Sequence, residues 1–282
     1  MFVIHLFAIT ATHEEPRNVG GSTSFSQRLA AAKRPARARP ITVDDVRRYH
    51  HAKELAQQAG LIAADGASAE SLAQVPDGAP STALEELSAL DAHLASEGHE
   101  GTLKEGHCGE SASAVELLRS LVPAAAAHIA EVGFNGGHSA TLFLTASPAA
   151  SVTSFELGQH AYSRAAVAFL ARQFPGRHTV IWGNSTQTLP VHRPPGGGYD
   201  LILLDGAHHH EVAALDLANA RALAHANTLV VMDDVVLTSL RLRTWNLGPT
   251  AVWLDARREG RVKELGHREL GEGRGIAWGA FV

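Results

Sequence analysis

The sequence holds a single cysteine, Cys108, among 282 residues. No internal disulfide can form, so nothing in it requires an oxidising compartment. No apolar run approaches the ~20 residues needed to span a bilayer, so a membrane is not an expected partner. There is no basic excess. The formal net charge of -5 gives no general attraction for nucleic acid, whose binding is dominated by phosphate neutralisation. No repeat at solenoid spacing is visible, and the dinucleotide fingerprint G-x-G-x-x-G is missing. What remains is an apolar content of 45%, enough for a full core in one large domain or two small ones. The seventeen histidines mostly stand singly and read as surface or satisfied residues.

The first forty residues read as a disordered extension. Phe2 to Ile9 is apolar but short, is interrupted by His5, and has no basic flank before it, which makes a poor secretory signal. Val19 to Ile41 carries Arg28, Lys33, Arg34, Arg37 and Arg39 with no acidic residue. That composition is shared with organelle transit peptides, although Glu14 and Glu15 precede it. A cytoplasmic location is the expectation, with organelle targeting as the alternative.

Residues 41–110 are expected to form a helical cap. Thr42-Val-Asp-Asp45 has the form of a capping box and opens a helix with Val43, Val46, Tyr49, Leu55 and Ala59 on one side. After the break at Pro76 to Pro80, Thr82-Ala-Leu-Glu85 starts a second helix bearing Leu84, Leu87, Leu90 and Leu94. Ser113-Ala-Val-Glu116 starts a third, with Val115, Leu118 and Val122, stopped by Pro123. The first two are expected to serve packing rather than chemistry.

From Ile129 strand and helix patterns alternate, so residues 111–282 are expected to be an α/β domain. Its predicted core is a Rossmann-like, doubly wound, mostly parallel sheet with right-handed crossovers. The strands are Ile129–Val132, Val152–Phe155, Thr179–Trp182, Leu201–Leu204 and Leu229–Met232. Helices fall at Ser139–Ala146, Ala161–Gln173 and Glu211–Ala224. After a short helix from Pro249, Val262–Leu265 and Ile276–Val282 flank the turn-rich Gly271-Glu-Gly-Arg-Gly275. That pair reads as an antiparallel hairpin on the sheet edge.

The chemistry gathers at strand ends. Ile129 to Val132 runs into Gly133-Phe-Asn135-Gly136-Gly137-His-Ser139, a glycine turn at the carboxyl end of the first strand, where open α/β sheets bind ligands. Glu131 beside it suits a cationic or hydroxyl-bearing ligand and repels a pyrophosphate. The turn therefore points to S-adenosylmethionine (SAM) rather than NAD. Glu156 closes the second strand, 23 residues after Gly133, where a carboxylate can accept from both ribose hydroxyls. Gly183-Asn-Ser185 follows the third strand, where an adenine edge would lie.

Asp205 ends the fourth strand, and Asp233-Asp234 end the fifth. Three carboxylates in one crevice repel each other unless a cation sits between them, and oxygen-only ligands suit Mg²⁺. In His208-His209-His210, three consecutive side chains cannot all face one ion, and a solvated loop is the plain alternative. His208 nevertheless lies three residues after Asp205, where it can take a proton from a substrate hydroxyl near neutrality.

Taken together, Glu131-Val-Gly-Phe-Asn-Gly-Gly-His-Ser139, Phe155-Glu156, Gly183-Asn-Ser185, Asp205-Gly-Ala-His208 and Met232-Asp-Asp-Val235 resemble the successive motifs of class I SAM-dependent O-methyltransferases. The pattern is similar to the cation-dependent group, including the catechol, caffeoyl-CoA and macrolide-sugar enzymes, over roughly residues 105 to 282. The resemblance implies that Glu131, Gly133, Asn135, Gly137 and Ser139 hold the methionine end of SAM. It implies Glu156 at the ribose, Ser185 at the adenine, and Asp205 facing both cofactor and metal. It implies Mg²⁺ at Asp205, Asp233 and Asp234, with His208 as the base of an in-line methyl transfer. Catechol-type enzymes carry Lys where this chain has His208 and Asn where it has Asp234. The histidine is what the sugar-modifying branch carries, which favours a sugar, natural-product or phenol hydroxyl on a small molecule. The glycine-proline turn usual before the fifth strand is replaced by His225-Ala-Asn-Thr228. An NAD(P)-dependent oxidoreductase and a non-catalytic SAM-fold scaffold are the competing readings, and homo-oligomerisation is left open.

Overall fold

The central strand-forming stretches, Ile129–Val132 and Leu201–Leu204, owe their conformation to burial on both faces. In the computed structural model, which describes residues 81–100, 106–239 and 242–282, five parallel strands follow in chain order. They are β1 (His128–Val132), β2 (Ser151–Glu156), β3 (His178–Trp182), β4 (Tyr199–Leu204) and β5 (Ala224–Asp233). An antiparallel pair, β6 (Val262–Gly271) and β7 (Arg274–Phe281), completes a seven-stranded sheet of order β3-β2-β1-β4-β5-β7-β6. The described residues all fall within one compact unit, residues 63–282. The capping box at Thr42, the apolar stretch from Phe2 and the basic segment Val19–Ile41 lie outside the described residues.

Period-two alternation sends neighbouring side chains to opposite faces. Ile129, Leu201, Leu203 and Val231 enter one core, together with the helices α1 (Ser81–Ser96), α2 (Ala112–Leu121), α3 (His138–Ala146) and α4 (Ala161–Gln173). Ala130, Val132, Ile202, Leu204, Val230 and Met232 enter the other. That face is covered by α6 (His210–Ala222) and α7 (Leu247–Arg258), α5 being the single turn Ser185–Thr188. Helices on both faces are what a near-continuous apolar parallel strand demands. Helix α1 buries Leu87, Leu90 and Leu94 in the first core and leaves Leu84 exposed. Truncating the fully enclosed Leu90 to Ala would cost ~2–5 kcal/mol.

Of the boundaries that differ from the sequence reading, three have a local cause. Helix α2 is capped two residues earlier, by Ser111, whose Oγ accepts from the Ala114 N–H at 3.3 Å. Strand β5 begins at Ala224, paired with Tyr199, where a helix end and a loop were expected. It starts there because Thr228 Oγ accepts from the His225 N–H and donates to the Tyr199 carbonyl, absorbing the irregularity. The β6–β7 turn is tighter than Gly271–Gly275. Glu272 (φ 52°) and Gly273 (φ 86°) both take the left-handed conformation that two-residue hairpins require, with Gly271 opposite Arg274.

The registers align the strand ends that matter. Val132 stands beside Phe155 and Leu204, Leu204 beside Met232, and Glu156 beside Trp182. Strand order reverses between β1 and β4, so a crevice opens there at the carboxyl edge.

Candidate active site

The glycine turn Gly133–Gly137 joins β1 to α3 at that edge. Gly133 has φ +95°, and a Cβ built on it would lie 1.9 Å from the Asp205 carbonyl oxygen. Only glycine lets the turn press this closely on the end of β4. Asn135 is left-handed at φ 47° and donates from Nδ2 to the Gly106 carbonyl at 2.9 Å. Gly137, at φ 83°, caps α3.

Glu156 holds this turn from β2. Its Oε2 accepts from the Phe134 and Asn135 N–H groups at 3.1 and 3.0 Å, and its Oε1 accepts from Gly158 N–H at 2.8 Å. A carboxylate offers about four acceptor positions, so three bonds leave room for one more donor. The expected ribose acceptor is thus also a buttress of the turn.

Glu131 and Ser139, expected at the methionine end of the cofactor, are bonded to each other beneath the turn. Glu131 is 0% exposed. Ser139 Oγ donates to its Oε2 at 2.5 Å and Ser154 Oγ to its Oε1 at 2.6 Å. His178 Nε2 lies 2.8 Å from Ser154 Oγ, extending the chain of polar groups under the turn. Burial pushes the Glu131 carboxyl up to about 7, against the pull of the two serine bonds and with a smaller push from Glu156.

Ser185 begins α5, capped by Asn184, whose Oδ1 accepts from the Thr186 N–H at 3.0 Å. The Ser185 side chain bonds Asp216 of α6, which burial raises to about 6. Asp216 is 2% exposed and its Oδ1 has no partner. In the sequence it reads only as a polar residue of a helix, and it escapes notice there.

At the β4 and β5 ends, Asp205, His208 and Asp234 bring one donor atom each within 4.8 Å of the others. His208 Nε2 lies 3.2 Å from Asp234 Oδ2 and 3.9 Å from Asp205 Oδ1. Asp234 is left-handed at φ 57°. Burial, then the charges of Asp233 and Asp205, hold Asp234 far above the usual carboxylate range. Asp233 is also raised, chiefly by burial, and its carboxylate accepts from the Asp234 N–H. It lies near the group but outside it, so the structure gathers two of the three expected metal residues together with the expected base. His209 caps α6 without a side-chain bond, and His210 faces Asp255 at 3.7 Å.

Asp205, His208, Asp216, Met232, Asp233 and Pro249 line a shallow crevice that opens to solvent. Cys108, in the turn before α2, is held protonated by burial and by the charges of Asp205, Asp233 and Glu131. Among the described residues no helix is long and apolar enough to cross a membrane.

Residues 130–235 match a family described as "Methyltransferase domain". No curated protein matches the chain by sequence. The O-methyltransferase TomG of Streptomyces achromogenes, involved in tomaymycin synthesis and solved with SAM, shares 20% identity at a TM-score of 0.53, over 70% of this chain and 90% of that one. An O-methyltransferase of Bacillus cereus solved with SAH shares 17% identity at 0.54, over 83% and 99%. A methyltransferase of Podospora anserina solved with SAH shares 16% at 0.51, over 88% and 100%. These likenesses are of fold, and the matched segment spans the glycine turn, Glu156, Asp205, His208 and Asp233-Asp234. Residues 130–235 are similar to a methyltransferase domain, and the fold of the chain around them is the one these solved methyltransferases share.

Proposed function

We propose that the protein transfers the methyl group of SAM to a hydroxyl of a small molecule, with a sugar, natural product or phenol as acceptor and with Mg²⁺ at the crevice. The convergence of Asp205, Asp234 and His208 beside the glycine turn carries this reading. The donor set fits a hard cation. Crowded carboxylates, one of them pushed far above its usual range, are relieved by positive charge, and carboxylate oxygens suit Mg²⁺. Asp205 and Asp234 would hold it, with Asp233 close by. When bound there, Mg²⁺ supplies Lewis-acid polarisation of the acceptor hydroxyl.

The residues of the chain do the rest. The turn Gly133–Gly137 offers backbone to the methionine end of SAM, while Glu156 accepts from a ribose hydroxyl through its remaining lone pair. Asp205 stands between turn and crevice, and Ser185 lies on the adenine side. His208 receives the acceptor's proton at Nε2, and the neighbouring Asp234 carboxylate stabilises the imidazolium that results. Because SAM is already an activated electrophile, orientation of the two reactants is the main contribution, with proton removal adding ~10²–10⁴.

The test is a screen of labelled-methyl transfer from SAM to hydroxylated small molecules, with EDTA and with Mg²⁺. Transfer that requires Mg²⁺ and disappears in Asp205→Ala is expected. Full transfer in chelator would make the aspartates structural. Failure of SAM to bind at all would leave a non-catalytic scaffold.

A further inference from the structure

A second group of histidine and carboxylate lies away from the crevice, at the start of α3. Asp91 comes from α1, His107 from the segment ahead of α2, and His138 is the first residue of α3. One donor atom from each lies within 4.8 Å of the other two. His138 Nε2 is 2.8 Å from Asp91 Oδ1, and the two imidazole rings stack with centroids 3.6 Å apart and planes 22° from parallel. His138 is 2% exposed. The Nδ1 atoms of both histidines are enclosed and have no hydrogen-bond partner.

This arrangement is costly as a mere packing feature. Buried ring nitrogens are normally bonded, and two imidazoles in face contact gain little unless something holds them there. Burial is the largest influence on both and lowers each below its ordinary value, His138 to about 4. Neutral imidazole is the form that ligates metals.

We propose that Asp91, His107 and His138 form a binding site for a borderline divalent transition ion, Zn²⁺ in the first instance. Two imidazole nitrogens and one carboxylate oxygen are a zinc-type donor set, and Mg²⁺, which prefers oxygen and sheds water reluctantly, is poorly served by it. Glu110 is the natural fourth ligand. Its Oε1 is 3.8 Å from His107 Nε2, its side chain is half-exposed, and its Oε2 lies 3.8 Å from Arg274 Nη1, a pair that ligation would exchange. Such an ion fastens three pieces of chain that are remote in sequence. It ties α1 and the segment bearing His107 to the helix that follows the glycine turn. Asn135 of that turn already bonds the same segment through the Gly106 carbonyl. The site is independent of what the crevice does, and no residue is shared between the two groups.

The experiment uses the full chain, stripped by chelator and titrated with Co²⁺ as the spectroscopic probe and with Zn²⁺ in calorimetry. A visible absorption band of a low-coordinate cobalt site is expected, displaced by Zn²⁺ and not by Mg²⁺. Since His138→Ala could fail to fold, the variants are His107→Ala and Asp91→Asn, at the more accessible positions. Each should weaken Zn²⁺ by about 100-fold or more, above what loss of a supporting residue gives. The double variant Asp205→Asn/Asp234→Asn should keep the band. Absence of the band, its survival in both His107→Ala and Asp91→Asn, or its loss in the double variant would each overturn the assignment.

Discussion

The two groups of histidine and carboxylate stand at opposite ends of one glycine turn, Asp205 against Gly133 and His138 directly after Gly137. They differ in which partner is in the majority. Around Asp205, His208 and Asp234 the carboxylates prevail, and burial with mutual repulsion drives Asp234 toward its neutral acid. Around Asp91, His107 and His138 the imidazoles prevail, and burial drives them toward their neutral base. The same physical cause, removal from water, yields neutrality in both places by opposite proton movements. What each can then gain differs. The acidic group gains most from a hard cation that restores its carboxylates, and the imidazole group gains from an ion that takes nitrogen lone pairs.

The comparison is broken most directly at His208. If the histidine of the acidic group works on the acceptor's proton, His208→Ala lowers kcat by ~10²–10⁴ while SAM affinity stays nearly unchanged. Steady-state rates beside titration calorimetry check this. Full turnover in the variant would leave His208 as a counter-charge only, and the acidic group would have no catalytic half.

The next largest effect concerns the turn between the two groups. Glu156→Ala removes the acceptor of the Phe134, Asn135 and Gly158 N–H groups as well as the proposed ribose acceptor. SAM affinity is expected to fall by ~1.5–3 kcal/mol, the scale of a hydrogen bond to a charged group, and the thermal midpoint should fall with it. Glu156→Gln separates the two roles, because its carbonyl still accepts from backbone. Unchanged SAM affinity in a folded Glu156→Ala would confine the residue to holding the turn.

The sequence made one of these groups legible and hid the other, for a physical reason. Strand ends recur wherever an apolar run stops at an acidic residue, so Asp205, Asp233 and Glu156 announce their own positions once the α/β alternation is seen. Which of the adjacent pair Asp233 and Asp234 gathers with Asp205 and His208 is a matter of local backbone, Asp234 being left-handed, which no residue pattern dictates. Asp91, His107 and His138 come from two helices and an irregular segment. Only the packing of Leu87, Leu90 and Leu94 against the sheet brings them together. The strand cores were likewise readable because both faces are buried. The start of β5 was not, because Ala224 to Thr228 has no apolar run and is held by the Thr228 hydroxyl. The burial of Glu131 follows from Ser139 and Ser154, hydroxyls that look like any others in a sequence.

Asp234→Asn tests whether the acidic group waits for a cation. A carboxyl whose folded value lies above its ordinary 3.8 is neutral in the native chain while its unfolded counterpart has ionised. Wild-type stability is thus full below the unfolded value and declines as pH rises toward the folded one. In chelator at neutral pH the Asn variant should melt ~2–4 °C higher, equivalent to ~1 kcal/mol for a domain of this size. Saturating Mg²⁺ should reverse the order, since only the wild type gains the full binding free energy. If Mg²⁺ leaves the order unchanged in thermal melts, crowding of carboxylates at this edge has nothing to do with a hard cation.

Glu131→Gln gives the smallest effect and isolates burial from charge crowding. Glu131 is wholly enclosed, and burial, the largest influence on it, raises it to about 7 from an ordinary 4.5. The wild type therefore loses stability as pH rises from about the ordinary value toward the folded one, while a glutamine, which does not titrate, removes that slope. The amide oxygen still accepts from one serine, and the other hydroxyl can rotate to accept from the amide NH₂. The variant should accordingly lie within about 1 kcal/mol of wild type at neutral pH, the difference appearing only as a flatter pH dependence in urea unfolding. Mg²⁺ should not alter that difference, because Glu131 is wholly enclosed beneath the turn and bonded to Ser139 and Ser154, out of reach of an ion in solution. If Glu131→Gln instead responded to Mg²⁺ as Asp234→Asn does, the carboxylates at the edge and beneath the turn would form one electrostatic unit, and the contrast between an acidic group open to cations and a buried polar framework would fail.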